Sequence, residues 1–133
     1  MTSQLISLAR EARRQAYAPY SKFKVGAALL CEDGSIYTGC NVENASFGLT
    51  NCAERTALFK AISEGKLAFK AIAICGGKEG KPEELCPPCG ACRQVLREFC
   101  DDNFTIHLQG EAGIESYTLK ELLPMSFRTD TIG

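Results

Sequence analysis

Three features of the sequence predict a mixed α/β fold, a sheet of about five strands with helices on both faces. The apolar spacing switches between helical and extended periods in the order α-β-β-α-β-α-β-β-α. Asp33-Gly34, between two strand-like runs, reads as a hairpin turn. Phe69 to Cys75 is a short apolar run between glycine and lysine signals, which reads as a buried strand.

Taken in order, Thr2 to Ala16 places Leu5, Ile6, Leu8, Ala9, Ala12 and Ala16 at helical spacing, with Thr2 or Ser3 as N-cap. Ala18-Pro19-Tyr20-Ser21 breaks that helix. Lys24 to Cys31 and Ser35 to Cys40 form the hairpin strands, and the polar, glycine-bearing stretch Asn41 to Thr50 is a loop. Asn51 to Ser63 carries Ala53, Ala57, Leu58, Ala61 and Ile62 on one side, a helix closed by Gly65. After the buried strand, Gly76 to Pro88 is a loop and Gly90 to Phe99 a helix with Val95, Leu96 and Phe99 inward. Phe104 to Gln109 is a strand. Gly110 to Gly113 turns into the strand Ile114 to Thr118, and Leu119 to Leu123 is a short helix stopped by Pro124.

A chain of 133 residues, 45% hydrophobic, suits a single domain over 1–133 with a real core. The net charge is −1, and no block of Lys or Arg marks a nucleic-acid or membrane face. The longest apolar runs are too short to span a bilayer, and the N-terminus lacks the apolar core of a signal peptide. Eight cysteines would suit a disulfide framework in a secreted chain. Without a secretion signal, and with Cys31 and Cys75 inside apolar runs, they read instead as free thiols in a reducing cytoplasm.

The chemistry gathers in two segments. Cys89 and Cys92 are thiols at i and i+3 on a predicted first helical turn behind Pro88, so they face one way. Backbone N–H groups there favour thiolates. Alone, this C-x-x-C spacing also suits a redox pair or half of a structural zinc site. Cys52, at another predicted helix start, supplies a third soft ligand. Three thiolates fit a zinc ion with one position open, whereas Cys86 as a fourth would close the site. His107, the lone histidine, lies in a strand and reads as a partly buried strand residue. Glu54 has no use beside a closed structural site, although it would also sit well at any helix start. Next to an open metal position it can move the protons of a water. Arg55 can donate to a thiolate and restore the acidity that three anionic ligands take from the metal.

Cys52-Ala53-Glu54 with Pro88-Cys89-x-x-Cys92 resembles the signature of the zinc nucleobase and nucleoside deaminases, including their three-cysteine variant. More closely, the chain resembles the small homotetrameric cytidine deaminases. The likeness runs through Tyr17 to Phe23, Val25 to Leu29, Gly39 to Ala45, Cys52 to Ala57, Pro88 to Gln94, Leu122 to Pro124 and Phe127. It implies a three-layer α/β/α fold and hydrolysis of free cytidine and 2′-deoxycytidine to the uridines and ammonia. The implied site has zinc on Cys52, Cys89 and Cys92, with Glu54 as proton carrier. It also implies Asn41 and Glu43 on the ribose hydroxyls, Phe23 against the pyrimidine, and the Ala53 N–H on the base carbonyl. Phe127 would close over the base from a neighbouring subunit of a homotetramer.

Phe47 departs from the pattern, standing where the family usually has a Tyr that helps hold the ribose 5′-OH. A deaminase of another aminopyrimidine nucleoside, such as blasticidin S, and a non-enzymatic zinc module are the alternative readings. The prolines between Cys86 and Cys89 favour extended backbone, which sets their α-carbons roughly 9 Å apart. Cys89 and Cys92 on a helical turn would be only about 5–6 Å apart, so they are the expected ligand pair.

Overall fold

A computed structural model of the chain describes residues 1–128. Five strands form one mixed sheet: β1 (Phe23–Cys31), β2 (Ile36–Cys40), β3 (Phe69–Lys78), β4 (Thr105–Gly110) and β5 (Gly113–Thr118). Their order across the sheet is β2-β1-β3-β4-β5. β3 and β4 run parallel, and the other neighbouring pairs are antiparallel. The helices are α1 (Thr2–Arg13), α2 (Ala53–Ser63), α3 (Gly90–Phe99) and the short α4 (Leu119–Leu122).

Burial on both faces of β1 explains the three layers. Ala28 and Leu30 join Ala71, Ala73 and Cys75 of β3 under Leu5, Ile6 and Ala9 of α1. The alternate residues Val25, Ala27, Leu29 and Cys31 face the opposite core, with Ala57, Leu58 and Ala61 of α2 and Leu96 of α3. Two glycines let the helices approach this closely. A Cβ at Gly26 would run into the Ala9 carbonyl of α1. One at Gly39 would lie 2.5 Å from the Ala57 nitrogen and 2.7 Å from the Ala53 oxygen of α2.

The sheet register brings the two cysteine segments together. Cys40, the end of β2, pairs with Gly26, while Lys78, the end of β3, pairs with Phe23. The segments after β2 and β3 therefore leave from the same end of the sheet, on either side of the start of β1. That is the end at which open α/β sheets place their ligands.

Several boundaries differ from the sequence expectation, most by a single residue, as where β1 starts at Phe23, β2 at Ile36, β4 at Thr105 and β5 at Gly113, and where β4 ends at Gly110 and α4 at Leu122. The first helix stops at Arg13, not Ala16, because Arg14, Gln15 and Ala16 each bond three residues back in a tightened turn. Its N-cap is Met1, with no side-chain cap from Thr2 or Ser3. β3 runs on to Lys78, since Gly76 and Gly77 still pair with Val25 and Lys24. The second helix starts at Ala53, not Asn51, because Asn51 pairs through its backbone with Val42 and Cys52 becomes the N-cap. The loop 41–52 also holds a 3₁₀ turn, Phe47–Leu49.

Candidate active site

Cys52 is the N-cap of α2 and Cys89 the N-cap of α3, both with extended backbone. Cys92 follows one turn into α3 and is fully buried. The three Sγ atoms all lie within 4.8 Å of one another, and Cys86 is not part of the cluster. The Cys89 sulfur accepts the Cys92 N–H at 3.4 Å, and the Arg55 guanidinium donates from Nη2 to the Cys52 sulfur at 3.2 Å. Hydrogen bonds from the Cys92 thiol, then from Arg55, hold Cys52 well below the usual thiol range. Cys92 is pushed the other way, since it gives up that hydrogen bond if it ionises. Three sulfurs sharing protons this closely suit a metal ion that replaces those protons, and Zn–S bonds of about 2.3 Å need only a small closure of the cluster.

Glu54 sits two residues past Cys52, on the first turn of α2, and is 6% exposed. Burial, with the nearby Cys52 sulfur adding to it, pushes its carboxyl up to about 7. A carboxyl there can both take and give a proton near neutrality. It shares a cavity of about 170 Å³ with Val25, Asn41, Thr50, Cys52, Ala53, Cys86, Pro87 and Cys89. The two largest hollows elsewhere are lined mainly by Arg, Lys and Glu, and among the described residues no other group of His, Cys, Asp and Glu converges as a ligand set.

The other anticipated residues divide. Asn41 lines the cavity with its amide locked, Oδ1 accepting from the Val25 N–H and Nδ2 donating to the Phe23 carbonyl, each at 2.9 Å. Glu43 is buried nearby in sequence but bound from another side. Its carboxylate accepts the backbone N–H groups of Tyr20 and Ser21 at 3.1 Å each and the Ser21 hydroxyl, which together hold it below the usual carboxylate range. Phe23 packs beside Cys86, both close to the bare α-carbon of Gly76. Phe127 does not line the cavity of its own chain; it is 57% exposed. Phe47 is also exposed. His107 bonds Ser116 across β4 and β5 and takes no part.

Sequence reasoning did not single out Val25, Thr50 and Pro87 as cavity lining, or Ser21 as the partner of Glu43. Ser21 lies 22 residues from Glu43, and no local pattern links them.

Comparison with known proteins bears on this geometry. Residues 1–108 match the family described as the cytidine and deoxycytidylate deaminase zinc-binding region. The cytidine deaminase of Sporosarcina psychrophila is 52% identical over 130 residues, 97% of this chain and 93% of that protein. A crystal structure of the cytidine deaminase from Burkholderia pseudomallei superposes with a TM-score of 0.87 at 46% identity, covering 96% of this chain and 99% of that one. A blasticidin-S deaminase from Bacillus cereus is more distant, 26% identical over 128 residues, 93% of this chain and 90% of that protein. With three converging thiols and a buried acid beside them, this chain belongs to the cytidine and deoxycytidylate deaminase family of zinc enzymes.

Proposed function

We propose that Cys52, Cys89 and Cys92 hold the zinc ion, and Glu54 moves the protons, in this chain's zinc-dependent hydrolysis of cytidine and 2′-deoxycytidine to the uridines and ammonia. The observation that carries the assignment is the single cavity in which buried Glu54 meets Cys52, Cys89 and Asn41. A zinc ion held there would supply a Lewis acid that lowers the pKa of a bound water toward 7. Glu54 takes a proton from the attacking water and delivers it to ring N3 as the oxygen bonds to C4. A second proton passes through Glu54 to the amino nitrogen as the C4–N bond breaks. Water and cytidine thereby become uridine and ammonia. Arg55 draws charge from the Cys52 sulfur and so keeps the metal acidic.

Substrate is held by groups the fold has already oriented. The Ala53 N–H belongs to the unsatisfied first turn of α2 and serves the base carbonyl. Asn41, locked by β1, and Glu43, locked by the turn at 20–21, offer their remaining donors and lone pairs to the ribose hydroxyls. Phe23 lies against the pyrimidine. With Phe in place of Tyr at 47, no hydroxyl is present there for the 5′-OH.

At about 170 Å³ the cavity falls short of the usual ligand pocket of roughly 300–1,000 Å³. One chain therefore leaves the site unfinished. Phe127, turned outward, finishes the site of a neighbouring subunit in a homotetramer. No helix among the described residues is long and apolar enough to cross a membrane. We place the enzyme in the cytoplasm, where a reducing medium keeps the ligand thiols available. A redox role for Cys89 and Cys92 would leave Glu54 unexplained.

The test is cytidine turnover, followed as loss of its ultraviolet absorbance, before and after chelation, with the metal identified. Chelation should abolish turnover and zinc should restore it. A zinc-loaded protein that leaves cytidine unchanged would be a binding module instead.

A further inference from the structure

The two residues after Cys92 do no chemistry in the scheme above, yet they join two distant stretches of chain. Arg93 donates from Nε to the Pro88 carbonyl and from Nη1 to the Leu122 carbonyl, both at 2.7 Å. Gln94 donates from Nε2 to the Phe127 carbonyl at 2.8 Å. Pro88 is the buried residue immediately before the ligand Cys89. Leu122 is the last residue of α4, where a helix leaves its carbonyls without partners.

Between the two anchored carbonyls the chain reverses through Pro124 and Met125. Met125 has φ 50, an uncommon conformation for a residue with a side chain, and that side chain is fully in solvent. Packing of Met125 cannot hold the reversal, so its ends must. Those ends are the carbonyls that Arg93 and Gln94 grip, with an Arg128–Asp102 ion pair one residue beyond Phe127. Arg93 reaches the two carbonyls from two nitrogens of one planar fork, so a lysine, whose three donors share one nitrogen, would have to draw the carbonyls to a single point to hold both.

We propose that Arg93 and Gln94 are positioning residues that hold the Phe127 strap in register with the Pro88-Cys89 ligand loop. One helix then sets both the metal site of its own subunit and the aromatic lent to the next. The strap half of this inference rests on the reading of Phe127 given above.

The test uses zinc-loaded Arg93→Lys, Arg93→Ala, Gln94→Ala and Phe127→Ala proteins with two readouts. One is the rate at which a chromophoric chelator removes zinc; the other is KM and kcat for cytidine. Both Arg93 variants should release zinc about tenfold faster, the low end for groups that support metal ligands, and should raise KM several-fold. Gln94→Ala should raise KM alone. Joined in one protein, Arg93→Ala and Phe127→Ala should raise KM no further than the larger single change, since both act through one strap. Native zinc release and native KM in Arg93→Lys overturn the proposal, and that variant keeps the charge and stem should Arg93→Ala fail to fold. KM effects that multiply in the double variant overturn its strap half. An unchanged KM in Phe127→Ala defeats the reading of Phe127 and the strap half with it, while zinc release from Arg93→Lys still decides the ligand-loop half.

Discussion

Both halves of the metal centre begin with a cysteine at a helix N-cap, but the two helices treat that cysteine differently. α2 is pressed into the sheet, with Ala53, Ala57, Leu58 and Ala61 fully buried. Its Cys52 makes no side-chain cap bond, and the sulfur instead takes a guanidinium from one turn along. α3 leaves Cys89 exposed, and that sulfur caps its own helix through the Cys92 N–H. Glu54, the proposed proton carrier, thus stands on the helix that is pressed into the sheet. Of the C-x-x-C pair, Cys89 is exposed while Cys92 is buried. A group that must meet a reacting atom within hydrogen-bond reach gains most from such packing.

The strongest test of this division is Glu54→Gln. It removes the proposed proton carrier and leaves every sulfur in place. Turnover should fall by about 10³-fold or more while zinc content stays at the native level. Near-native turnover in a zinc-replete variant would sink the assignment.

A smaller effect should follow from loosening α2 without touching its chemistry. The new Cβ of Gly39→Ala meets backbone atoms of Ala53 and Ala57, which cannot give way as a flexible side chain could. Overpacking of this kind costs about 1–3 kcal/mol. Urea unfolding should show that loss, and turnover should fall along with it, because the displaced turn carries Cys52, Ala53 and Glu54. Gly48→Ala, with open space around its α-carbon, is the control and should change neither. A native midpoint for Gly39→Ala would show that α2 is not held as tightly as its burial indicates.

What the sequence revealed of this comparison was its local part. The helix of α3, the hairpin and the five strands follow from spacing and turn chemistry, since each is decided by neighbours in the chain. Apolar spacing starts α2 two residues early, because its true boundary depends on Asn51 pairing with Val42 within the loop 41–52. Ala16 keeps helical spacing and is buried, yet it lies in a tightened turn that a periodic pattern cannot separate from helix. The meeting of Cys52, Cys89 and Cys92 follows from their motif spacing, and Glu54 lies buried beside them. The grip of Ser21 on Glu43, and of Arg93 on Leu122, spans more than 20 residues in each case and leaves no local trace.

The smallest expected effect concerns Cys86, the extra thiol beside the exposed half. It lines the cavity, and its Sγ would lie 3.1 Å from a Cβ built on Gly76. The three sulfurs that do converge exclude it. Burial pushes its thiol up to about 12. Its place is that of a small apolar wall packed beside Phe23. Cys86→Ser should therefore keep full zinc content and most turnover, and lose about 1 kcal/mol of stability for a hydroxyl set in an apolar site. Cys92→Ser, which alters the buried member of the sulfur cluster, should lose both metal and turnover. Metal analysis of the two purified proteins decides the matter. Zinc lost from Cys86→Ser and retained in Cys92→Ser would mean that the exposed half binds through a different pair of thiols than its helix presents.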